Sequence, residues 1–102
     1  AKLLNRYSIL REIDMKQWTQ IFKALANINR LAIIKFLSDG QERHVTTLAA
    51  HIHVTMPNTS RHLRMLSNLY ILNETGKDGH VFYSLNSKMP ADIQKIVKIF
   101  LA

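Results

Sequence analysis

Polar and cationic side chains concentrate in one stretch near the middle of the chain, from Met56 to Asn68 or Leu69. A stripe recurs there every three or four positions, which is the spacing of one helix face: Thr59, Leu63, Leu66 and Leu69. The opposite face carries side chains that are cationic or hydrogen-bonding: Asn58, Ser60, Arg61, His62 and Arg64. Phosphates and base edges bind such groups, and a helix with this face suits the major groove of DNA.

A shorter helix is predicted just before this stretch, over about Thr46 to Ile52, and three residues separate the two. That turn is His53-Val54-Thr55. The hydroxyl of Thr55 can accept from an otherwise unpaired backbone N–H, so we expect it to cap the second helix. Pro57 falls in the first turn, where a missing N–H costs nothing. The pair therefore predicts a helix-turn-helix.

The overall charge agrees with a polyanionic partner. The 102 residues include 14 Lys and Arg against 7 Asp and Glu, a net charge of +7 with neutral histidines. A solvated basic surface is the alternative explanation for charge alone, but here the charge coincides with the two-helix unit. The length indicates one domain, residues 1–102. Without cysteine, disulfides and thiolate metal sites are excluded, and with no signal peptide visible we expect a cytoplasmic protein.

Three helices are expected before this unit. Leu3, Leu4, Tyr7 and Leu10 mark a first amphipathic helix that is too short to be stable alone, so the domain body or a second subunit must cover it. Asp14 is expected to cap the next helix, Met15 to about Ala26, with Trp18 on its apolar side. A third helix begins at Asn27 or Asn29, and Gly40 supplies its left-handed C-terminal residue.

After the helix-turn-helix, the helical spacing of apolar residues gives way to a β-prone segment and a cluster of turn residues. This pattern predicts two short strands, about Leu72–Thr75 and His80–Leu85, joined by the turn residues 76–79. The tip of this hairpin carries Lys77 and His80, which could reach a phosphate or the minor groove. The element order is then α-α-α-α-α-β-β-α, mainly α with a small β-hairpin. A helix pair followed at once by a hairpin is a winged helix-turn-helix.

The last helix is expected to begin near Pro90, and its apolar stripe is the clearest in the chain: Ile93, Ile96, Val97, Phe100 and Leu101. The stripe must be buried, either against its own domain or, together with the first helix, across a two-fold axis. We favour a homodimer, because a two-fold pair doubles the DNA contacts and fixes the spacing of two half-sites. The predicted interface is Leu3, Leu4, Tyr7, Ile93, Ile96, Val97 and Phe100.

Three segments, in the right order, resemble the bacterial repressors of the ArsR/SmtB type. Phe22-Lys23-Ala24-Leu25, followed by Arg30-Leu31, resembles their FKAL…RLxIL opening. Ser60-Arg61-His62-Leu63 with Leu66 resembles their SRHLxxL recognition helix, and the segment 79–85 resembles their GxxVYYxL wing. The resemblance implies a homodimeric repressor that binds a pseudo-palindromic operator. It places Thr55, Asn58, Ser60, Arg61 and His62 on the recognition helix and Lys77 and His80 on the wing.

The sequence departs from the family pattern at four positions. Met56 stands where Gln is common, Ile28 replaces a usual Pro, and His53 replaces a turn Gly. Histidine tolerates positive φ better than most residues. Tyr70 replaces the Gly that often ends the recognition helix, so we expect that end near Asn68.

The metal sites of the family are not retained. His44 and Thr46 occupy the positions of its cysteine pair, and the last helix has Asp92 but neither His nor Glu. His51 and His53 could in principle share a metal, although a surface pair is the simpler expectation. We therefore predict metal-independent regulation with no cofactor. The histidines, His62 among them, could become cationic below about pH 6.5 and strengthen phosphate attraction.

Three other function classes remain open. An enzyme would need a catalytic motif, and neither a phosphate loop nor H-E-x-x-H nor G-x-S-x-G is present. A winged-helix module for protein–protein contact would not need the cationic face at positions 60–64. A metal- or ligand-responsive repressor would share the DNA function. The sequence does not separate a repressor from an activator.

Overall fold

The computed structural model describes residues 15–102, which form five helices and a three-stranded antiparallel sheet. The predicted helix over Leu3, Leu4 and Tyr7, and the cap at Asp14, lie outside the described residues. Helix α1 covers residues 15–25. The elements that follow are α2 (Ile28–Phe36), a 3₁₀ turn (Leu37–Asp39), β1 (Arg43–His44), α3 (Val45–Ile52), α4 (Met56–Asn68), β2 (Leu72–Lys77), β3 (His80–Leu85) and α5 (Ala91–Leu101).

Helix α2 begins with a side-chain cap at Asn27. Its Oδ1 accepts from the backbone N–H groups of Asn29 at 3.0 Å and Arg30 at 3.1 Å. Of the two expected start points the structure therefore has Asn27, because a cap must precede the N–H groups that it satisfies. The helix tightens into the 3₁₀ turn and ends at Gly40, whose φ of 80° confirms the predicted left-handed residue.

The core is built from side chains of all five helices and of strand β2. The apolar stripes of α2, α3 and α4 supply side chains with no exposed surface: Ile33, Ile34, Leu48, Leu63 and Leu66. Leu37 and Ile71 join this cluster from two connecting turns, and both are fully buried. Burial of this kind stabilises a side chain by roughly 1.5–3 kcal/mol, so the core fixes how α3 and α4 lie relative to each other.

The helix-turn-helix has the predicted three-residue turn. His53 ends α3 in the left-handed region, with φ 56° and ψ 46°, and its N–H donates to the carbonyl of Ala49. The substitution of histidine for glycine thus keeps the backbone geometry. Thr55 begins α4, and its Oγ1 accepts from the N–H of Asn58 at 3.4 Å, which confirms the predicted cap.

Helix α4 ends at Asn68, as expected, although no glycine follows. Tyr70 adopts φ 60°. The N–H of Ile71 donates to the carbonyl of Leu66 at 3.0 Å, and the Asn86 side-chain amide donates to the carbonyl of Tyr70 at 2.8 Å. These bonds hold a conformation that a residue with a Cβ rarely adopts.

The sheet differs from the predicted hairpin in two ways. A third strand, β1, pairs with β3, so β3 is central and the order is β1-β3-β2. Strand β2 also extends to Lys77, because Asp78 and Gly79, with φ of 52° and 78°, close the hairpin as a two-residue turn with both residues at positive φ. Lys77 and His80 are therefore cross-strand partners that flank the turn.

Helix α5 divides its apolar stripe between the inside and the outside of the protomer. Pro90 is the cap and Ala91 the first helical residue, one position later than expected. Ile93 and Val97 are each 2% exposed and pack in the core, whereas Phe100 is 39% and Ile99 76% exposed. Ile96 is half-buried. Ile93 and Val97 thus have little surface left for a partner, and the predicted interface must rely on their neighbours.

Within residues 15–102, no helix combines the length and the apolar character that crossing a bilayer requires.

Candidate nucleic-acid interface

Helix α4 is fixed by one fully buried face. Thr59, Leu63 and Leu66 have no exposed surface and anchor the helix in the core. The N–H of Thr59 also bonds the carbonyl of Thr55 at 2.9 Å, which secures the first turn. Because a helix turns 100° per residue, burying these three side chains directs the positions between them outward.

The outer face of α4 presents the predicted polar and cationic side chains. Asn58, Arg61 and Arg64 are exposed, whereas Ser60 is half-buried. Arg61 Nη1 donates to Asn58 Oδ1 at 2.8 Å, so the two side chains lie together on this face. Arginine forks and amide side chains are the groups that pair with guanine and adenine edges. Thr55, the cap that precedes the helix, is also exposed.

His62 is placed differently from the other predicted contacts. Its ring is half-buried, and Nδ1 lies 3.0 Å from Nη1 of Arg30, a residue of α2. Burial and the adjacent Arg30 charge lower the pKa of His62. This corrects the expectation that His62 becomes cationic below about pH 6.5. Arg30 was not predicted at the site, and its local signal in the sequence is that of a charged residue within the apolar pattern of α2.

The wing, β2 and β3 with their turn, carries the other two predicted contacts. Lys77 Nζ lies 3.0 Å from Glu42 Oε1, and both side chains are partly exposed. The ammonium also lies 5.9 Å from the centre of the Phe82 ring. His80 packs edge-on to His44, with ring centroids 5.2 Å apart. Lys77 and His80 thus lie at the tip of the hairpin, and Lys77 already has an acidic partner.

The histidines considered as metal ligands have other contacts. His51 stacks on Phe36 with ring centroids 3.7 Å apart, and His53 occupies the left-handed turn position. His44 caps α3, because its Nδ1 lies 3.2 Å from the N–H of Thr46 and can accept from it. Across the described part of the chain, no three His, Asp or Glu side chains are grouped as metal ligands would be.

Comparison with known proteins agrees with this geometry. The sequence profile of the bacterial regulatory proteins of the arsR family matches residues 27–74, from the cap of α2 into β2. The arsenical resistance operon repressor of Escherichia coli K12 is 35% identical over 78 residues, covering 76% of this chain and 67% of that protein. The transcriptional repressor SdpR of Bacillus subtilis 168 is 28% identical over 72 residues, covering 71% of this chain and 79% of SdpR.

The fold also matches a solved structure, the homodimeric winged helix-turn-helix DNA-binding domain of Mb0332 from Mycobacterium bovis. The TM-score is 0.72 at 22% identity, with 87% of this chain and 79% of that chain covered. This similarity identifies the fold as a winged helix-turn-helix, with α3 and α4 as the helix pair. From the profile, the relatives and the fold together, the chain belongs to the ArsR family of bacterial regulatory proteins.

Proposed function

We propose that this protein is a homodimeric transcriptional repressor that binds a pseudo-palindromic operator without a metal. Helix α4 lies in the major groove, and the wing contacts the flanking backbone. One observation carries the proposal: burial of Thr59, Leu63 and Leu66 leaves Asn58, Arg61 and Arg64 exposed along one helix, in a chain of net charge +7. A helix that binds in the major groove needs one face anchored in the core and an opposite face that is exposed and cationic.

Repression, rather than activation, is supported by the two curated relatives, each of which is a repressor. A cytoplasmic location follows from the same proposal, because the chromosome is the ligand. We infer a binding protein and not an enzyme, since the exposed polar side chains of α4 suit recognition and the relatives are repressors. Metal independence is supported by the absence of cysteine from the sequence and by the stacking and capping contacts of His51 and His44.

The wing is proposed to add contacts to phosphates. Lys77 would exchange its bond to Glu42 for a phosphate oxygen, which is an inexpensive exchange because exposed ion pairs contribute only about 0–1 kcal/mol. His80, exposed and opposite Lys77 in the hairpin, is the second proposed contact.

The dimer is proposed to form through the first and last helices. On the last helix, α5, Ile99 and Phe100 remain exposed; α1, which follows the predicted first helix, also carries exposed apolar side chains, Met15 at 69% and Phe22 at 56%. Leu3, Leu4 and Tyr7 stay a prediction for the segment outside the described residues. A two-fold pair would place two α4 helices one duplex turn apart, at roughly 34–36 Å.

The first experiment is selection of bound duplexes from a random pool by the full chain. We expect enrichment of an inverted repeat whose half-site centres lie about 10–10.5 base pairs apart. A recovered pool without any shared sequence, together with binding that does not change with salt, would contradict the proposal. That result would favour the protein–protein module instead.

Substitution of Arg61 and Arg64 by Ala should weaken operator binding without changing the fold. Each lost base contact costs about 1–3 kcal/mol, or roughly 5- to 150-fold in affinity, and each lost phosphate contact lowers the salt slope by about 1. A mobility-shift assay on the selected operator measures both. Lys88→Ala is the matched control, because this exposed lysine lies between β3 and α5, away from α4 in the sequence. Equal affinities for all three proteins would remove the arginines from the interface.

A further inference from the structure

Arg30 is a buried cation without an acidic partner among residues 15–102. It is 9% exposed, and neither salt bridge in this part of the chain includes it. Its guanidinium instead donates to two carbonyls at the end of α1: Nε to Ala24 and Nη2 to Lys23, the latter at 2.9 Å. Nη1 reaches His62 at 3.0 Å. A buried charge must be compensated by hydrogen bonds, and His62 supplies the third of these three contacts.

The chemistry of this contact determines where the imidazole proton lies. A guanidinium has five N–H donors and no acceptor, and it does not lose its proton in proteins. Nδ1 of His62 must therefore accept the bond from Nη1, so it carries no hydrogen. A neutral imidazole with a bare Nδ1 carries its proton on Nε2, which is free to donate elsewhere.

The surroundings also oppose a second proton on the ring. The hollow beside His62 is lined, apart from Arg30 and His62, by Asn29, Val54, Asn58, Arg61 and Met65. Its charged groups are Arg30 from α2 and Arg61 from α4, both cationic, and α1 contributes the Lys23 carbonyl to Arg30. Burial and the Arg30 charge lower the pKa of His62. The ring therefore remains neutral over a wider range of pH than an exposed histidine does.

We propose that Arg30 is a positioning residue that keeps His62 neutral with its proton on Nε2, so that position 62 offers DNA one hydrogen-bond donor and no charge. The use of this donor depends on the proposed DNA binding, whereas the protonation state of His62 does not. A single directed N–H suits an acceptor on a purine edge in the major groove, such as guanine N7. A charged ring at the same position would attract any phosphate and would add affinity without sequence preference.

The proton position is measured on the free, full-length protein by ¹⁵N-NMR of the imidazole nitrogens between pH 5 and 8. We expect the shifts of His62 to report a bare Nδ1 and a protonated Nε2, and its titration midpoint to lie below the ordinary value of about 6.5. A proton on Nδ1, or an ordinary midpoint, would overturn the inference. This measurement uses no DNA, so its result is separate from the test of the proposed function.

Two variants at position 62 test the donor. Gln carries an N–H₂ group at about the position of Nε2 and does not titrate, whereas Leu fills similar volume without a donor. We expect His62→Gln to stay within a few-fold of the parent in operator affinity and His62→Leu to lose roughly 5- to 150-fold. Equal losses in both would show that no donor is used at this position.

Two variants at position 30 test the positioning role. Arg30→Met removes the cation, so the His62 midpoint should rise, and below that midpoint the salt slope of DNA binding should steepen by about 1. The double variant with His62→Gln should lack this pH-dependent change. Arg30→Lys keeps the charge and should keep the lowered midpoint. An unchanged His62 titration in folded Arg30→Met would overturn the inference; if that variant does not fold, the parent NMR and the position-62 pair still decide it.

Discussion

Two residues other than glycine hold left-handed backbone at the ends of α3 and α4. His53 and Tyr70 have φ of 56° and 60°. For a residue with a Cβ this region costs roughly 1–2 kcal/mol. The surrounding bonds maintain it: the Ala49 carbonyl accepts from the His53 N–H, and the Asn86 amide binds the Tyr70 carbonyl. The recognition helix is therefore delimited by two positions at which the backbone is strained.

Tyr70→Gly should stabilise the fold. Its ring is 66% exposed and contributes little packing, so relief of the positive φ should add about 1 kcal/mol and raise Tm by roughly 4–8 °C in thermal denaturation. Tyr70→Ala is the control, because it removes the ring but keeps the Cβ. Equal behaviour of Gly and Ala would mean that the backbone at position 70 is not strained.

For single residues, the sequence predicted the features that near neighbours in the chain determine. The caps at Thr55 and the turn at His53 depend on neighbours within four residues, and both were expected. The Arg30–His62 contact joins residues 32 positions apart, and nothing in either local pattern indicates it. His62 was therefore predicted as a DNA contact, but its lowered pKa was not predicted.

One arginine, Arg43, contacts several of the elements that lead into the helix-turn-helix. Arg43, in β1, binds both carboxylate oxygens of Asp39 at 2.9 and 2.6 Å and donates to the Phe36 carbonyl at 3.2 Å. Its guanidinium also stacks 4.3 Å from the centre of the Phe36 ring, against which His51 of α3 stacks as well. These contacts connect α2, the 3₁₀ turn, β1 and α3.

Asp39→Asn should destabilise the protein at neutral pH and not in acid. The hydrogen bond from Arg43 lowers the pKa of Asp39 from 3.8 to about 2. Because the folded pKa is depressed, the carboxylate contributes its full stability above about pH 3.8 and loses it as pH falls through 2. Urea denaturation from pH 7 to 2 should show the deficit of the variant shrinking across that window. Glu74→Gln, an exposed carboxylate outside both salt bridges in residues 15–102, is the control. A deficit that persists at pH 2 would contradict the assignment.

The short strand β1 shows that sequence periodicity cannot predict very short secondary-structure elements. Two residues, Arg43 and His44, have no alternation to detect, and they become a strand only by pairing with Tyr83 and Phe82. Similarly, Gly76 and Lys77 resemble turn residues, but the two-residue turn at 78–79 lets β2 run two residues further. Longer elements such as α4 and α5 have enough repeats for the sequence to predict them.

At the scale of the whole molecule, α5 determines the expected assembly. Its inner residues Ile93 and Val97 complete the core, and its outer residues Ile99 and Phe100 keep 76% and 39% of their surface exposed. Periodicity predicted the stripe but not this division, because the width of the face that the core covers depends on the packing of α1. The surface available to a second subunit is therefore the outer edge of the stripe.

Ile99→Asp should give folded monomers in sedimentation equilibrium, because a charge would be desolvated in the proposed interface. Ile28→Asp is the matched control: Ile28 is 81% exposed, and an acidic residue in the first turn of α2 is favourable. Val97→Asp should unfold the chain instead, since it places the charge in the core. A dimeric Ile99→Asp protein would locate the interface elsewhere.

The pairing of β1 with β3 has a consequence for the thermodynamics of operator binding. Because β1 leads directly into α3 and His44 caps that helix, the wing and the helix pair share one continuous hydrogen-bonded frame. Association with a duplex then requires little ordering of the hairpin, so less conformational entropy is lost. In the proposed complex, the distance between the α4 contacts and the wing contacts is then set by the fold of the subunit, so the shape of the operator adds to the base contacts in selecting a site.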